Sequence, residues 1–384
     1  MRSITIHRYT AGFFLYISAV CCSPNHSKTV PTDTMETGND SESASDSADS
    51  ETTYIRPAIF EKYGNITTVA GKCAIDEKGV NGWDVAYEGG SATTAELSRP
   101  HYAMADSAGN IYIADKDAHA IRMIAGDGTI HTVAGTGISG DGPDDATAAT
   151  ESALSSPNGL WVLGDGTLYI LDLDNSKIRI RTPDGQMSTL FTDASGISLG
   201  RAIWMSDDES VCYYSSGSAV KKWTRQTGVT VLASGFQGLG ALMMTPDGAL
   251  LVTDRVGNVV YRVSENGTKT IVAGTGTATA SGGTGLPATE TTLEGVRGVW
   301  VLEDGDFFLA THEGSQVWYV DTAGIIHLFV DGAANDAHGG DGGPFDSPDA
   351  TVSEVRGIAC DHSGNLIITE NDCGIIRVVE RIVD

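Results

Sequence analysis

Short apolar runs launched from Gly- and Asp-bearing turns recur at near-even spacing along most of the chain. Six share one form: GNIYIAD from Gly109, GTLYILD from Gly166, ESVCYYS from Glu209, GALLVTD from Gly248, GDFFLAT from Gly305 and GNLIITE from Gly364. Each follows another apolar stretch: YAMAD, GLWVL, AIWMS, ALMMT, GVWVL or GIACD. Two further strands follow in most copies, such as AIRMIA and then TIHTVAG from Thr129, with a GDG turn between them. Four strands per unit, separated by Gly and Asp turns, predict one propeller blade per unit. The pattern therefore predicts an all-β chain folded as a six-bladed β-propeller.

The ends of the array carry their own signal. The last copy stops after IIRVVERIVD and lacks a fourth strand, while ITTVAG near Asn65 repeats the IHTVAG of the first unit. An unpaired blade edge would expose backbone donors and acceptors, so the N-terminal segment is expected to close the ring as the outer strand of the last blade. The combination of P-x-G-apolar, D-x-x-G-N-(L/I)-Y-(I/V)-A-D, I-R and TVAGTG resembles the NHL repeat over residues 65–379. The TVAGTG and GDG segments are similar to those of bacterial exported NHL proteins and of the teneurin NHL domain. Blade three departs from it, since ESVCYYS lacks the Gly-Asn turn and the Asp. The resemblance implies the fold, and it leaves the function open because such scaffolds host hydrolases, lyases and binding modules.

Ahead of the propeller, expected to span 63–384, residues 1–22 carry Arg2, His7 and Arg8 before the apolar run GFFLYISAVCC, which reads as an export signal. Residues 23–62 are expected to form a Ser/Thr/Asp-rich tether without a core. Cys21 and Cys22 at the junction leave two readings open, a lipoprotein anchor and plain secretion. Either reading places the propeller outside the cytoplasm, secreted or lipid-tethered at the cell envelope, with membrane contact only through such an anchor. Cys212 and Cys360 fall inside strands and read as small buried residues. Cys73 lies just past the closing strand and Cys373 begins its neighbour, so a disulfide between them is expected.

Counting back from each GNIYIAD copy to the start of its innermost strand gives one equivalent position. It holds His101, Asn158, Arg201, Gly240, Arg297 and Arg356. Side chains there share one facing and are expected to line the channel mouth as a ligand-binding set of His101, Asn158, Arg201, Arg297 and Arg356, suited to a carboxylate or phosphate. The competing reading pairs those arginines with Asp115, Asp172, Asp254 or Glu370 as structural ion pairs. The long inserts 72–98, 136–156, 275–294 and 331–354 all leave from this face and are expected to build it up on one side.

The formal net charge is −26, nearly all of it in the propeller, which argues against nucleic acid as a partner. No catalytic set appears: there is no HxH or HExxH element, nucleophile elbow or phosphate loop. His312, at a strand-two end, is placed to approach the face but is expected to lie four blades from His101. No catalytic residue, cofactor or metal is assigned. Calcium is the one candidate ion, through GGDGGPFDSPD from Gly339 and SGDGPDD from Ser139. The favoured expectation is a non-catalytic recognition or scaffold propeller that binds a protein, peptide or glycan on its loop-rich face. The alternative is a hydrolase or lyase acting at the arginine-lined mouth.

Overall fold

The computed structural model describes residues 54–74, 77–279, 282–332 and 337–382. The expected export signal and most of the expected tether lie outside these residues. The described chain is a six-bladed β-propeller of antiparallel blades. From the inner strand outward, blade one is Pro100–Ala105, Ile111–Asp115, Ala120–Ile124 and Ile130–Ala134. The inner strands of blades two to five are Pro157–Val162, Ile203–Met205, Leu239–Met244 and Val296–Val301. Among the described residues no helix is long and apolar enough to cross a membrane.

Blade six closes the ring as expected. Its strands Val355–Cys360, Leu366–Glu370 and Ile375–Arg381 take Tyr63–Ala70 as the outer partner, with Ile66 opposite Val379 and Thr68 opposite Arg377. Ile66 and Ala70 are fully buried there. The strand leaves through Gly71 at φ +92°, where a Cβ would stand 2.0 Å from the Gly374 carbonyl, so only glycine fits. Just beyond it Cys73 and Cys373 form the expected disulfide, with Cα atoms 4.4 Å apart.

Two expectations need correction. Residues 54–62 belong to the propeller's packing rather than to a tether. Phe60 is buried among Tyr319, Phe329 and Phe345, and Arg56 pairs with Asp346 at 2.8 Å. The aromatic contact explains why this segment is ordered despite its polar flank. The long inserts, in turn, do not pile up over the mouth. They leave from that face and run down the outer edges of blades, where they pair with the outermost strand. Ser91 bridges Thr129, Thr147–Ala148 pairs with Gln186–Met187, Leu286–Pro287 pairs with Ile325–Ile326, and Pro344 bridges Asn65. Four blade edges are thus capped by the chain itself, which satisfies backbone groups an open edge would leave to water. Blades three and four, entered by short connections, keep bare outer strands with Val231 and Ile271 exposed.

The repeat motif has a local cause. In D-x-x-G-N, Asp106 accepts hydrogen bonds from the backbone N–H groups of Ala108 and Asn110, and Asp361 does the same with Ser363 and Asn365. The acid at the end of strand two is also structural. Asp115 accepts from Ser98 N–H at 2.6 Å and pairs with Arg122 at 3.1 Å. Glu370 accepts from Ser353 N–H at 3.0 Å and faces Arg377 at 3.7 Å. Asp172 accepts from Ser155 N–H at 2.7 Å, and Asp254 from Gln237 and Gly238, both at 2.8 Å. Each acid therefore ties the incoming loop to its own blade. Burial pushes Glu370 up to about 8 and Asp172 up to about 6. These acids are occupied within the blades, so they are not the partners of the mouth arginines.

Candidate functional site

A backbone irregularity at the start of the inner strands builds the mouth. The strand register slips between Pro100 and Tyr102, Pro157 and Gly159, Leu239 and Leu242, Val296 and Gly298, and Val355 and Gly357. His101, Asn158, Gly240, Arg297 and Arg356 are thus bulge residues, freed from the ladder. Two residues earlier, Arg99, Ser156, Leu199, Gly295 and Glu354 adopt positive φ. At His101, Asn158, Arg297 and Arg356 the left-handed step and the bulge occur together, which takes these residues out of the regular ladder. Blades two and six have a glycine after the bulge because a neighbouring blade crowds it: a Cβ on Gly159 would meet the Arg201 carbonyl at 3.0 Å, and one on Gly357 the Tyr102 ring at 3.0 Å.

Three members of the set meet directly. Arg356 Nη1 stands 3.0 Å from His101 Nε2, and Arg297 Nη2 stands 3.3 Å from His101 Nδ1. Burial first, then Arg297 and Arg356, hold the His101 imidazole well below its ordinary pKa, so it is neutral. A neutral imidazole has one acceptor nitrogen and one N–H. The imidazole can therefore accept from only one of the two guanidiniums. The other two residues turn to backbone: Arg201 Nη1 donates to the carbonyls of Leu199 and Leu239, and Asn158 Nδ2 to that of Gly200. Burial, Arg255 and Arg356 together push Arg201 down to about 10.

The carboxylate of the mouth is Glu354, which pairs with Arg356 at 3.0 Å and Arg99 at 3.6 Å. His312 also reaches it, Nε2 lying 3.2 Å away without the alignment of a hydrogen bond. His312, expected to lie apart, therefore joins the cluster, because blades five and one are separated only by blade six around the ring. Its neighbours His312 and Arg356 hold Glu354 down to about 2. Burial keeps His312 itself below its ordinary value. Arg255 has its own acid, Glu313, at 2.8 Å.

Arg297 has none. It is 5% exposed, and among the described residues no carboxylate lies within ion-pairing distance of it. Burial, then Arg356, Arg201 and Arg255, press its guanidinium well below the usual value, opposed only by the more distant Glu354. An arginine does not shed its proton in a protein, so the cost stays in the fold. Counting along the repeat reaches His101, Asn158, Arg297 and Arg356, four of the bulge residues, together with Arg201, but not Glu354 or Arg99, which sit on turns beside the strands.

Four carboxylates of the two calcium candidates lie against basic side chains. Asp141 and Asp144 pair with Lys177 at 2.7 and 2.9 Å, Asp346 with Arg56, and Asp341 lies 3.6 Å from Arg377. The cluster with metal-ligand spacing among the described residues is Cys73, His338 and Cys373, whose thiols are joined as the disulfide.

The fold defines a six-bladed β-propeller. No protein-family model matches the chain, and no curated protein does. Solved structures do. A Bacteroides thetaiotaomicron protein of unknown function aligns with TM-score 0.65 at 16% identity, over 82% of this chain and 75% of its own. An auxiliary nutrient binding protein from Bacteroides ovatus aligns at 0.62 and 15%, over 83% and 77%. A gluconolactonase from Xanthomonas campestris aligns at 0.56 and 12%, over 85% and 93%. At these identities the likeness shows the shared fold, which carries both binding proteins and enzymes.

Proposed function

We propose that this is an exported, non-catalytic recognition propeller of NHL-repeat type, which takes a carboxylate- or phosphate-bearing protein, peptide or glycan at its arginine mouth. The buried, acid-free guanidinium of Arg297 carries the reading: a charge kept dry among like charges is sustained where a ligand completes it. Leu199 and Val256, exposed beside Arg201 and Arg255, supply an apolar rim of the kind a macromolecular partner covers. The disulfide supports an oxidising compartment, and the acidic remainder of the surface argues against nucleic acid. No cofactor enters the reading.

The test is thermal unfolding of the full chain with citrate and with inorganic phosphate. One of these anions should raise the melting temperature of the wild type, because a ligand bound only by the native state stabilises it, and should leave Arg297→Met unmoved. Equal shifts in both proteins would remove the mouth as the site. A hydrolase or lyase at the same mouth is the second reading, favoured by the neutral imidazole of His101 lying between the Arg297 and Arg356 side chains. Turnover of a lactone or ester that is lost in His101→Gln would establish it.

A further inference from the structure

The cysteines of the propeller differ in what surrounds them. Cys212 is buried, as expected. Cys360, expected to be buried, is half-buried at the opposite end of the channel, where Trp161 stacks on Trp300 at 6.1 Å and Asp207 and Glu303 stand on the rim. It joins no group of metal-ligating side chains there among the described residues. The pair at the ring closure does. Cys73, Cys373 and His338 come from three separate segments: the connection into blade one, the turn before the last strand, and the insert 331–354. Two sulfurs and one imidazole nitrogen lie within 4.8 Å of one another. Among the described residues the His338 ring has no hydrogen-bond partner, so the sulfur pair is what it faces.

The donor set and its spacing suit one kind of ligand. Two thiolates and an imidazole are donors that zinc takes, whereas calcium and magnesium take oxygen. With zinc–sulfur bonds of about 2.3 Å and a zinc–nitrogen bond of about 2.0 Å, a tetrahedral site holds its sulfurs about 3.8 Å apart and each about 3.5 Å from the nitrogen. Those spacings fall inside the 4.8 Å spread of the three groups. Once the sulfur–sulfur bond is open, rotation about the two Cα–Cβ bonds reaches them with the Cα atoms still 4.4 Å apart. The backbone beside each donor is held. Gly339 N–H donates to the Thr351 carbonyl at 3.0 Å, and its carbonyl accepts from Arg377 at 2.8 Å. Ala74 N–H donates to Glu96 at 3.1 Å, and Cys373 N–H to Asp372 at 2.9 Å. None of the three donors is buried, so a fourth position faces water.

We propose that, in the dithiol state, Cys73, Cys373 and His338 bind one zinc ion at the ring closure. An external dithiol supplies the two electrons and two protons that open the sulfur–sulfur bond, and is itself left as a disulfide. Zinc then displaces the two thiol protons to solvent. Exchange with an external disulfide takes the two electrons back, re-forms the bond and expels the metal. The closing blade is thus held by a covalent link under oxidising conditions and by a metal link under reducing ones. No residue of the arginine mouth takes part.

Cobalt chloride and then zinc chloride, titrated into the full chain reduced with a phosphine and kept under nitrogen, test the proposal. Cobalt should produce a thiolate-to-metal charge-transfer band that saturates at one equivalent, and zinc should bleach it. The oxidised chain should give no band. Zinc should raise the melting temperature of the reduced chain and leave that of the oxidised chain unmoved. His338→Ala should bind at least about tenfold more weakly, with the circular dichroism of the wild type, which separates a native site from a dithiol in an unfolded chain. Cys21→Ala, Cys22→Ala and Cys360→Ala combined should bind as the wild type does, and so should Arg297→Met. A reduced chain without the band, an affinity unchanged in His338→Ala, or a band lost in the triple variant would each overturn it.

Discussion

Replacing both Cys73 and Cys373 by Ala removes the covalent link at the blade that holds the ring shut. The two cysteines are 300 residues apart, so the bond encloses nearly the whole propeller. In the chain-entropy account a loop of that length restricts the unfolded ensemble by roughly 5 kcal/mol, reduced by whatever structure the unfolded chain retains. The native state should change little, because Tyr63–Ala70 still pairs with Ile375–Arg381 and Ile66 stays buried. With a urea m-value on the order of 3 kcal/mol/M, the midpoint of the double variant should fall by about 1 to 2 M. The assay is urea unfolding followed by tryptophan fluorescence, with peptide mapping of unreduced wild type to establish the cross-link. Coincident midpoints, or two free thiols in oxidised folded protein, would refute the reasoning.

Truncation before Tyr54 should leave stability unchanged. Removal of residues 1–62 should cost about 2 kcal/mol or more through lost burial of Phe60, and deletion through Gly71 should aggregate in a sedimentation assay by exposing a sheet edge. Arg297→Met should stabilise the unliganded protein by about 1 to 4 kcal/mol in chemical denaturation, whereas Arg356→Met, which strips a partner from Glu354, should destabilise it; the reverse order would mean that Arg297 is a structural residue. Glu354 is depressed from its ordinary 4.5 to about 2, so its contribution is complete above pH 4.5 and is lost as pH falls through 2. The stability difference between wild type and Glu354→Gln should therefore shrink across that window, and a constant difference would exclude the ion pair. Gly240→Ala should cost about 3 kcal/mol in the same denaturation assay, because a Cβ would stand 2.3 Å from Thr253 Oγ1 and 2.5 Å from the Arg297 carbonyl.

The blade count and the ring closure were legible because each is a repeated pattern. GNIYIAD and its relatives carry the two-residue period and a fixed turn, and ITTVAG near Asn65 is a copy of a strand whose place was vacant. The course of the inserts was not legible. Thr147–Ala148 and Leu286–Pro287 are two-residue strands, too short to show any alternation, and pairing with the outer edge is a tertiary event. Residues 54–62 were misplaced for a related reason: one buried aromatic, Phe60, outweighs a polar composition once a cluster of rings is there to receive it.

At the two mouths the same strand position supplied different amounts of information. Counting along the repeat found His101, Arg297 and Arg356 because the bulge recurs at one register, although the bulge itself leaves no mark in the sequence. Glu354 and Arg99 occupy the left-handed step two residues earlier, where side-chain alternation no longer predicts facing. The tryptophans stood in view within GLWVL, AIWMS and GVWVL, yet an apolar residue on an inner strand reads as core. Only the contact of Trp161 with Trp300 across the ring separates a channel-lining indole from a packed one. The charge pattern follows from the same geometry. A chain of net charge −26 keeps Arg201, Arg297 and Arg356 together at one mouth with Glu354 beside them, while other carboxylates are committed elsewhere: Asp115 and Glu370 to arginines inside their blades, Asp106 and Asp361 to turns. The acids left over at the opposite rim, Asp207 and Glu303, lie far down the bore from those guanidiniums. An axial polarity of this kind comes from position in the repeat, and net charge alone would have hidden it.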